Sequence, residues 1–237
     1  AASLSYDRAQ RWRGVLQGPA MHPNPAFRQE PEFLNITLAR RRGFGTLCLN
    51  GDPAPLLAHV PFWLNEAAAE AELHLVRSNP IARAVTGPTP AVIAVMGPDG
   101  YISPDWYGDP AQVPTWNYVA VHLRGTLRPA DPADMRAHLD RLSAQFEDRL
   151  APKRPWKVDK MPAETLDRMM RQILPFRFTV EQVDGTWKLN QNKTDAAREA
   201  AAEAVRYSPI GHEVETLSAL MTGGVPEIDK GAPFTYI

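Results

Sequence analysis

The stretch VPTWNYVAVHLRG, residues 113–125, constrains the fold more than any other part of the chain, because two kinds of side chain alternate along it. Val119, Val121 and Leu123 share one face of an extended backbone, as in a strand that packs on a core. The opposite face carries Trp116, Tyr118, Ala120, His122 and Arg124. A face this aromatic is not ordinary solvated surface. The pattern therefore predicts a strand with a core on one side and a different contact on the other.

Other segments also have the composition of strands. Residues 44–64 predict a hairpin, because FGTLCLN and PLLAHVPFWL flank the turn residues NGDP. AELHLVR predicts a third strand, and PAVIAVMG is apolar enough to predict a strand buried on both faces. FRFTVEQVDGTWKLN predicts a second hairpin, which turns at Asp184-Gly185. Residues 98–115 are rich in Gly, Pro and Asp and predict a loop.

Helices are predicted between and after these strands. They are expected near residues 32–41, 131–148, 162–173 and 194–205, and the second of these begins with the capping pair Asp131-Pro132. This order differs from the regular alternation of strands and helices in a doubly wound parallel sheet. It predicts a mainly β (α+β) fold, in which a small barrel or curled antiparallel sheet carries peripheral helices.

The composition excludes several classes of protein. A formal net charge of -1, from 26 Lys+Arg and 27 Asp+Glu, gives no sign of a nucleic-acid-binding surface. Cys48 is the single cysteine, which excludes an intramolecular disulfide framework and is typical of a reducing compartment. No stretch is long and apolar enough to span a bilayer, and residues 1–20 lack the apolar core of a signal peptide. We therefore expect a cytoplasmic protein with no membrane partner.

The two ends of the chain differ from its middle. Residues 1–20 precede MHPNPAF, where Met21 resembles a natural start, and we interpret them as an N-terminal extension or expression remnant, or as an arm that docks elsewhere. Residues 207–237 show no clear period and predict an irregular C-terminal tail. The folded domain, with its inserted and C-terminal helices, is therefore expected to cover residues 21–206.

The chain lacks the short motifs of common catalytic and nucleotide sites. Neither GxGxxG nor GxxxxGK[ST] occurs, so no Rossmann or P-loop site is indicated, and the GxSxG elbow is also absent. Six histidines are scattered without the spacing of metal ligands, so no metal site is predicted. No residue stands out as a general acid or base, and the catalytic residues, if the protein is an enzyme, stay unknown.

One turn has the chemistry of an anion site. A strand that ends at Arg77 turns into a helix with Ser78 or Asn79 as N-cap and Pro80 at its first position. Free backbone N–H groups would lie beside a guanidinium that can grip phosphate through two bonds, although an ordinary capped helix with a surface arginine has the same sequence. Several aromatic residues lie close to strand ends and favour a flat ligand ring: Trp63, Tyr101, Trp106, Tyr107, Trp116 and Tyr118. Together these features point to FMN or pyridoxal phosphate.

Six segments carry a resemblance to a known family. They are FGTL, HVPFWL, LHLVRSNP, GPDGYISPDWYG, VPTWNYVAVHLRGTL and GTWKLNQNK. In order and spacing they resemble the FMN-binding negative transcriptional regulators, the PaiB-type proteins, which are related to the pyridoxamine-phosphate-oxidase-like split barrels. The resemblance covers about residues 21–206.

This resemblance implies a six-stranded antiparallel split barrel that forms a homodimer with two FMN sites at the subunit interface. The Trp116, Tyr118 and His122 face of the opening strand would then meet a second subunit and its flavin. Fourteen residues are implied as cofactor-binding, in four groups. Thr46 and the strand His59, Val60, Pro61 would lie along the isoalloxazine; His74, Arg77, Ser78 and Asn79 would hold the ribityl phosphate; Trp116 and Asn117 would close the site from the other chain; Lys188, Gln191, Asn192 and Lys193 would form an anion-binding rim.

Two functions follow from the resemblance and one more from its relatives. The first is an FMN-binding regulatory or sensor protein, for which DNA is a partner implied by the family name but not supported by the charge. The second is a flavin-dependent oxidoreductase acting on a small substrate, because a flavin performs hydride chemistry itself and needs mainly positioning from the protein. The third is a haem-binding relative of the same barrel, with His59, His74 or His122 as candidate ligands.

Overall fold

The computed structural model describes residues 21–109 and 111–224, and in this part of the chain seven strands form one antiparallel sheet. The strands are β1 Phe44–Leu49, β2 Leu56–Leu64, β3 Glu70–Val76, β4 Thr89–Ile102, β5 Thr115–Pro129, β6 Ile173–Lys188 and β7 Gly211–His212. Their order is β1-β2-β3-β6-β5-β4-β7, and an additional pairing joins β1 to β4. Because of that pairing, β1 to β6 close into a ring, which confirms the predicted six-stranded antiparallel fold with peripheral helices.

The alternation in each strand divides the ring into an inner and an outer face. Along β5, Val119, Val121 and Leu123 are fully buried inside, as their period predicts. Large apolar side chains from the other strands fill the same core, including Leu47, Phe62, Leu73, Ile93 and Phe178. Solvent exposure varies along the outer face of β5, where Trp116 is 47% exposed and Ala120 is buried.

Two strands are longer than the sequence predicts, and both differences have the same cause. The 98–115 loop prediction is wrong at its start, because β4 continues across a bulge after Met96 and pairs Ile102 with Thr115. The hairpin prediction at Asp184-Gly185 is also wrong, since β6 runs straight through these residues and pairs Gly185 with Val121. In each case pairing with β5 overrides local turn preference. The prediction that PAVIAVMG is buried on both faces is wrong as well, because Met96 is exposed on its outer face.

Six helices within the described residues surround the ring. They are α1 Glu32–Arg42, α2 Pro80–Ala84, α3 Met135–Glu147, α4 Ala163–Met170, α5 Asp195–Val205 and α6 Val214–Met221. The predicted Asp131 cap is present, since its carboxylate accepts from the Ala133 N–H at 2.9 Å and starts a short 3-10 turn before α3. Across residues 21–109 and 111–224, no helix combines the length and apolar character needed to cross a membrane.

The C-terminal part of the described chain is ordered against the sheet. The prediction of an irregular tail from residue 207 is wrong for β7 and α6, because Leu217 and Met221 of α6 are buried in the core cluster. Gly100 of β4 allows this packing, since an added Cβ would lie 2.9 Å from a Leu217 methyl group. The expectations for residues 1–20 and 225–237 lie outside the described residues.

Candidate functional site

A row of side chains crosses five strands on the outer face of the ring. The registers pair His59 with Thr46, Thr46 with Ala94, Ala94 with His122, and His122 with Asp184. Directly paired residues of antiparallel strands point to the same face, so these five side chains are lateral neighbours. Thr46 Oγ1 lies 3.1 Å from His59 Nδ1. His122 of the opening strand is thereby brought onto one surface with Thr46 and His59 of the predicted isoalloxazine group.

Apolar and unpaired polar groups flank this row. Three large apolar side chains on the same outer face are about half exposed or more: Phe44, Leu57 and Met96. Next to them, His122 Nδ1 and Arg124 Nε are buried without a hydrogen-bond partner within the described part of the chain. Burial lowers the pKa of His122 below its usual value, and the Arg124 charge lowers it further, so the imidazole is neutral at pH 7. Exposed apolar area and unpaired polar atoms on one surface are typical of a binding face.

Arg77 lies at the far end of β3, beside a cavity of about 310 Å³. Its Nε–H donates to the Arg171 carbonyl, which holds the guanidinium against this cavity. The lining combines three arginines with one carboxylate and several apolar side chains: Arg77, Arg136, Arg171, Asp167, Met135, Met170 and Ile173. Such a lining suits an anionic group attached to an apolar body.

The turn after Arg77 has the predicted cap. Asn79 is the N-cap of α2, because its Oδ1 accepts from the Ile81 N–H at 2.9 Å, and Pro80 occupies the first helical position. Ser78 is exposed beside it. Arg77 is directed towards Arg171 and α4, and the N-terminus of α2 has its own cap, so an anion at Arg77 would be held mainly by side chains.

His74 belongs to a buried network that the sequence did not reveal. Its Nδ1 lies 2.9 Å from Nε2 of His138, which α3 supplies and which is 2% exposed. His138 Nδ1 lies 3.5 Å from Glu72 Oε2, and Glu72 in turn accepts two hydrogen bonds of 2.7 and 2.9 Å from one Arg141 nitrogen. Burial lowers the pKa of His74, and burial together with His74 lowers the pKa of His138 to about 4. Both rings are therefore neutral at pH 7.

Acidification is expected to destabilise the protein through this network. His138 binds a proton near its ordinary pKa of 6.5 in the unfolded chain but only at about 4 in the folded one. Between these values the unfolded state holds more protons, so the free energy of unfolding falls as the pH drops below 6.5. We expect denaturant midpoints to decrease from pH 7 to pH 5 and the variant His138→Gln to flatten that decrease. An unchanged midpoint over this interval in the parent protein would contradict the assignment.

A third group of predicted residues lies at the other end of β6. Tyr118 pairs with Lys188, whose Nζ donates to Thr115 Oγ1, and burial lowers the pKa of this lysine. Lys193 lies over the Tyr107 ring, 5.1 Å from its centroid. Gln191 is folded back on its own backbone, with Oε1 accepting from the Leu189 N–H, and Asn192 is exposed. The charge of Lys193 lowers the pKa of Lys188 further, so the two lysines lie near each other and form a basic surface.

The second and third groups lie at opposite ends of β6. His74 pairs with Pro175 of β6, whereas Tyr118 pairs with Lys188 at the opposite end of the same strand. Thirteen residues of extended chain span about 40 Å. The Arg77 end and the Trp116 end are therefore far apart along β6 within one chain.

Two of the predicted residues point into the core. Val60 is 1% exposed among the inner residues of β2, as expected from its alternation with His59 and Pro61. Asn117 is fully buried, and its Nδ2 donates to Met221 Sδ at 3.4 Å. The side chains of both residues lie away from the outer face. The residues that the sequence analysis missed are Glu72, His138, Arg141, Arg136 and Arg171; Glu72 has a signal, because it lies two residues from His74 on one strand face.

Comparison with known proteins identifies the family of this chain. A family model described as "Putative FMN-binding domain" matches residues 21–182. The chain is 26% identical over 174 residues to "Protease synthase and sporulation protein PAI 2" of Bacillus subtilis, an alignment that covers 70% of this chain and 83% of that protein. An uncharacterised protein of Aspergillus fumigatus is 25% identical over 222 residues, covering 73% of this chain and 84% of its own length.

Solved structures with a similar arrangement include flavin proteins. The FAD- and haem-binding protein of Mycobacterium smegmatis aligns with a TM-score of 0.47 and 19% identity, covering 67% of this chain and 71% of its own. The flavocytochrome Anf3 of Azotobacter vinelandii aligns with a TM-score of 0.49 and 12% identity, covering 68% and 69%. The family match, in contrast, extends over more than half of the sequence. The resemblance to the PaiB-type proteins is confirmed, and the chain belongs to the FMN-binding domain family.

Proposed function

We propose that this protein binds FMN between two copies of the chain and works as a flavin-linked regulatory or sensor protein. The observation that carries the proposal is the outer face of the ring, where exposed apolar side chains flank a polar row in a chain of the FMN-binding family. The flavin would supply redox chemistry, and the protein would supply binding, orientation and exclusion of water. The relative from Bacillus subtilis is named "Protease synthase and sporulation protein PAI 2", and the resemblance to the PaiB-type negative transcriptional regulators makes regulation the favoured role.

The residues present fit the chemical parts of FMN. Leu57 and Met96 offer apolar area to a flat ring, while Thr46, His59 and His122 offer hydrogen bonds to its polar edge. At the far end of β3, Arg77 and the two other arginines of its cavity offer charge for the phosphate. The basic rim of Lys188 and Lys193 would be contributed by the second copy. Trp116 would cover the ring from that copy.

The proposed homodimer gives a direct test of the outer face. Phe44, Leu57 and Met96 are exposed on this face of one chain, which is unfavourable in a soluble monomer, so a second copy is expected to cover them. We predict a light-scattering mass near twice 26.3 kDa for the parent protein. Leu57→Asp, at a residue 62% exposed in one chain, should shift the protein to the monomer because it places a charge in the interface.

A matched control separates the interface from a general effect of added charge. Met169 of α4 is similarly exposed but lies away from the outer face of β1, β2 and β4, so Met169→Asp should leave the mass unchanged. A parent protein that is monomeric at micromolar concentration would rule out the dimer. A dimer that persists in Leu57→Asp would place the interface elsewhere.

Spectroscopy distinguishes the regulator from the flavin-dependent oxidoreductase. The purified protein, reconstituted with FMN, is expected to show flavin absorption bands and no catalytic turnover of NADH or NADPH under anaerobic conditions. Rapid reduction followed by transfer to a small acceptor would instead establish the oxidoreductase. A Soret band in the purified protein would favour the haem-binding alternative.

DNA binding, if it accompanies regulation, is expected to be weak and strongly dependent on salt. The net charge of -1 provides few phosphate contacts, and helix α3 carries carboxylates among its arginines, including the Arg136–Asp140 pair at 3.1 Å. Titration of duplex DNA at increasing salt should abolish binding by physiological ionic strength. A tight complex that survives there would contradict the prediction. We also place the protein in the cytoplasm, which the single cysteine supports.

A further inference from the structure

The Glu72–His138–His74 network has a geometry that selects one protonation pattern. Glu72 and His138 are both nearly inaccessible. Arg141 holds the Glu72 carboxylate in place by donating hydrogen bonds to both of its oxygens. His138 Nδ1 lies 3.5 Å from Glu72 Oε2. A ring nitrogen that bears a hydrogen is attracted to this carboxylate, whereas a lone pair there is repelled. The buried charge therefore favours His138 with its hydrogen on Nδ1.

The tautomer of His138 determines the tautomer of His74. With the hydrogen on Nδ1, His138 Nε2 has only a lone pair to offer across its 2.9 Å contact. His74 must then donate from Nδ1 to make the hydrogen bond, and its own Nε2 keeps a lone pair. The low pKa of each ring supports neutral imidazoles at pH 7, and Glu72, Arg141 and the two histidines are the ionisable groups in this contact.

The unprotonated nitrogen of His74 is not fully buried. His74 Nε2 has no hydrogen-bond partner among residues 21–109 and 111–224, and it is not one of the buried unpaired atoms of that region. His74 lies on the outer face of β3, three residues before Arg77. His74 pairs directly with Pro175, which lines the same cavity as Arg77, so a ligand held by Arg77 would lie near an acceptor that cannot donate.

We propose that Glu72 and His138 are positioning residues that hold His74 as its Nδ1–H tautomer, so that Nε2 accepts a hydrogen bond from a hydroxyl group of the ligand. The inference rests on the proposed function for the identity of that ligand. It gives different roles to two of the residues predicted to hold the ribityl phosphate. Arg77 meets the phosphate, while His74 meets a hydroxyl of the ribityl chain. An imidazole lone pair would repel phosphate oxygens but pairs well with a hydroxyl donor.

The tautomer can be measured without any ligand. Isotope-edited NMR of the imidazole nitrogens at neutral pH should show a protonated Nδ1 and an unprotonated Nε2 for His74 in the parent protein. Glu72→Gln should abolish this bias, because the variant removes the charge while keeping the shape of the side chain. Glu70→Gln is the matched control, since Glu70 lies on the same strand face and pairs with Arg128 and Arg177 instead.

The affinities of three flavins test whether His74 contacts a hydroxyl group of the ribityl chain. We expect Glu72→Gln to weaken binding of both FMN and riboflavin by roughly three- to tenfold, the effect of one neutral hydrogen bond. Lumiflavin, which lacks the ribityl chain, should bind the parent and the variant equally. Glu70→Gln should change none of the three affinities.

The outcomes separate this inference from the proposed function. A protonated Nε2 on His74 in the parent protein would overturn the inference whatever the flavin results, and so would an equal loss for lumiflavin. If the tautomer is as expected but the parent protein binds no flavin, the proposed function fails and the ribityl assignment fails with it, while the positioning role of Glu72 and His138 stands.

Discussion

Arg77→Ala is expected to weaken FMN binding by roughly tenfold to a hundredfold, because a charge-assisted contact to phosphate contributes about 1.5–3 kcal/mol. The residue lies at the end of β3 and is exposed, so its loss should leave the fold intact. Its Nε–H is already engaged by the Arg171 carbonyl. This contact orients the guanidinium towards the cavity and leaves its two terminal NH₂ groups to grip the anion.

The binding measurement has an internal control and a matched variant. Riboflavin lacks the phosphate, so it should bind more weakly to the parent protein and respond little to Arg77→Ala. Arg168→Ala removes an exposed arginine of α4 that does not line the cavity, and it should leave the FMN affinity unchanged. If Arg77→Ala binds FMN as tightly as the parent does, Arg77 is a surface arginine beside a capped helix and the phosphate lies elsewhere.

Gly185→Ala is expected to lower the free energy of unfolding by about 3 kcal/mol, which is far more than a glycine in an exposed turn would imply. An added Cβ would lie 2.1 Å from Asn35 Oδ1 of helix α1. That oxygen accepts a hydrogen bond of 2.7 Å from the buried Trp187 Nε1–H. Displacing Asn35 would therefore both strain the packing of α1 and leave a buried donor without its partner.

Gly87→Ala is the control for this prediction. Nothing lies within 4 Å of the position of its added Cβ, so the substitution should change stability by a few tenths of a kcal/mol at most. Equilibrium unfolding in denaturant measures both variants. If Gly185→Ala costs only about 1 kcal/mol, as for a strained turn glycine, then β6 does not run unbroken through this residue.

The positions of candidate site residues are predictable from the sequence where they depend only on the alternation along a strand or on where a strand ends. Strand parity places Thr46 and His59 on the outer face, and Arg77 directly follows β3, as the sequence predicts for that strand end. Val60 alternates with His59, so its side chain points inwards, and its predicted contact with the ring would have to come from the backbone. His138 was not predictable as a neighbour of His74, because 64 residues separate them and only the docking of α3 on β3 joins them.

Local sequence determines the features of this fold that depend on neighbouring residues. Helix starts such as Asn79-Pro80 and the alternation along β5 depend on backbone preferences and on neighbours a few residues away, so the amino-acid order alone is sufficient to predict them. Asp184-Gly185 is the opposite case. Its turn preference amounts to about 1 kcal/mol, whereas continuous pairing with β5 and the burial of Trp187 contribute more in total. Those partners lie some sixty residues away in the chain, and only their assembly into the closed ring decides that the pair belongs to a strand.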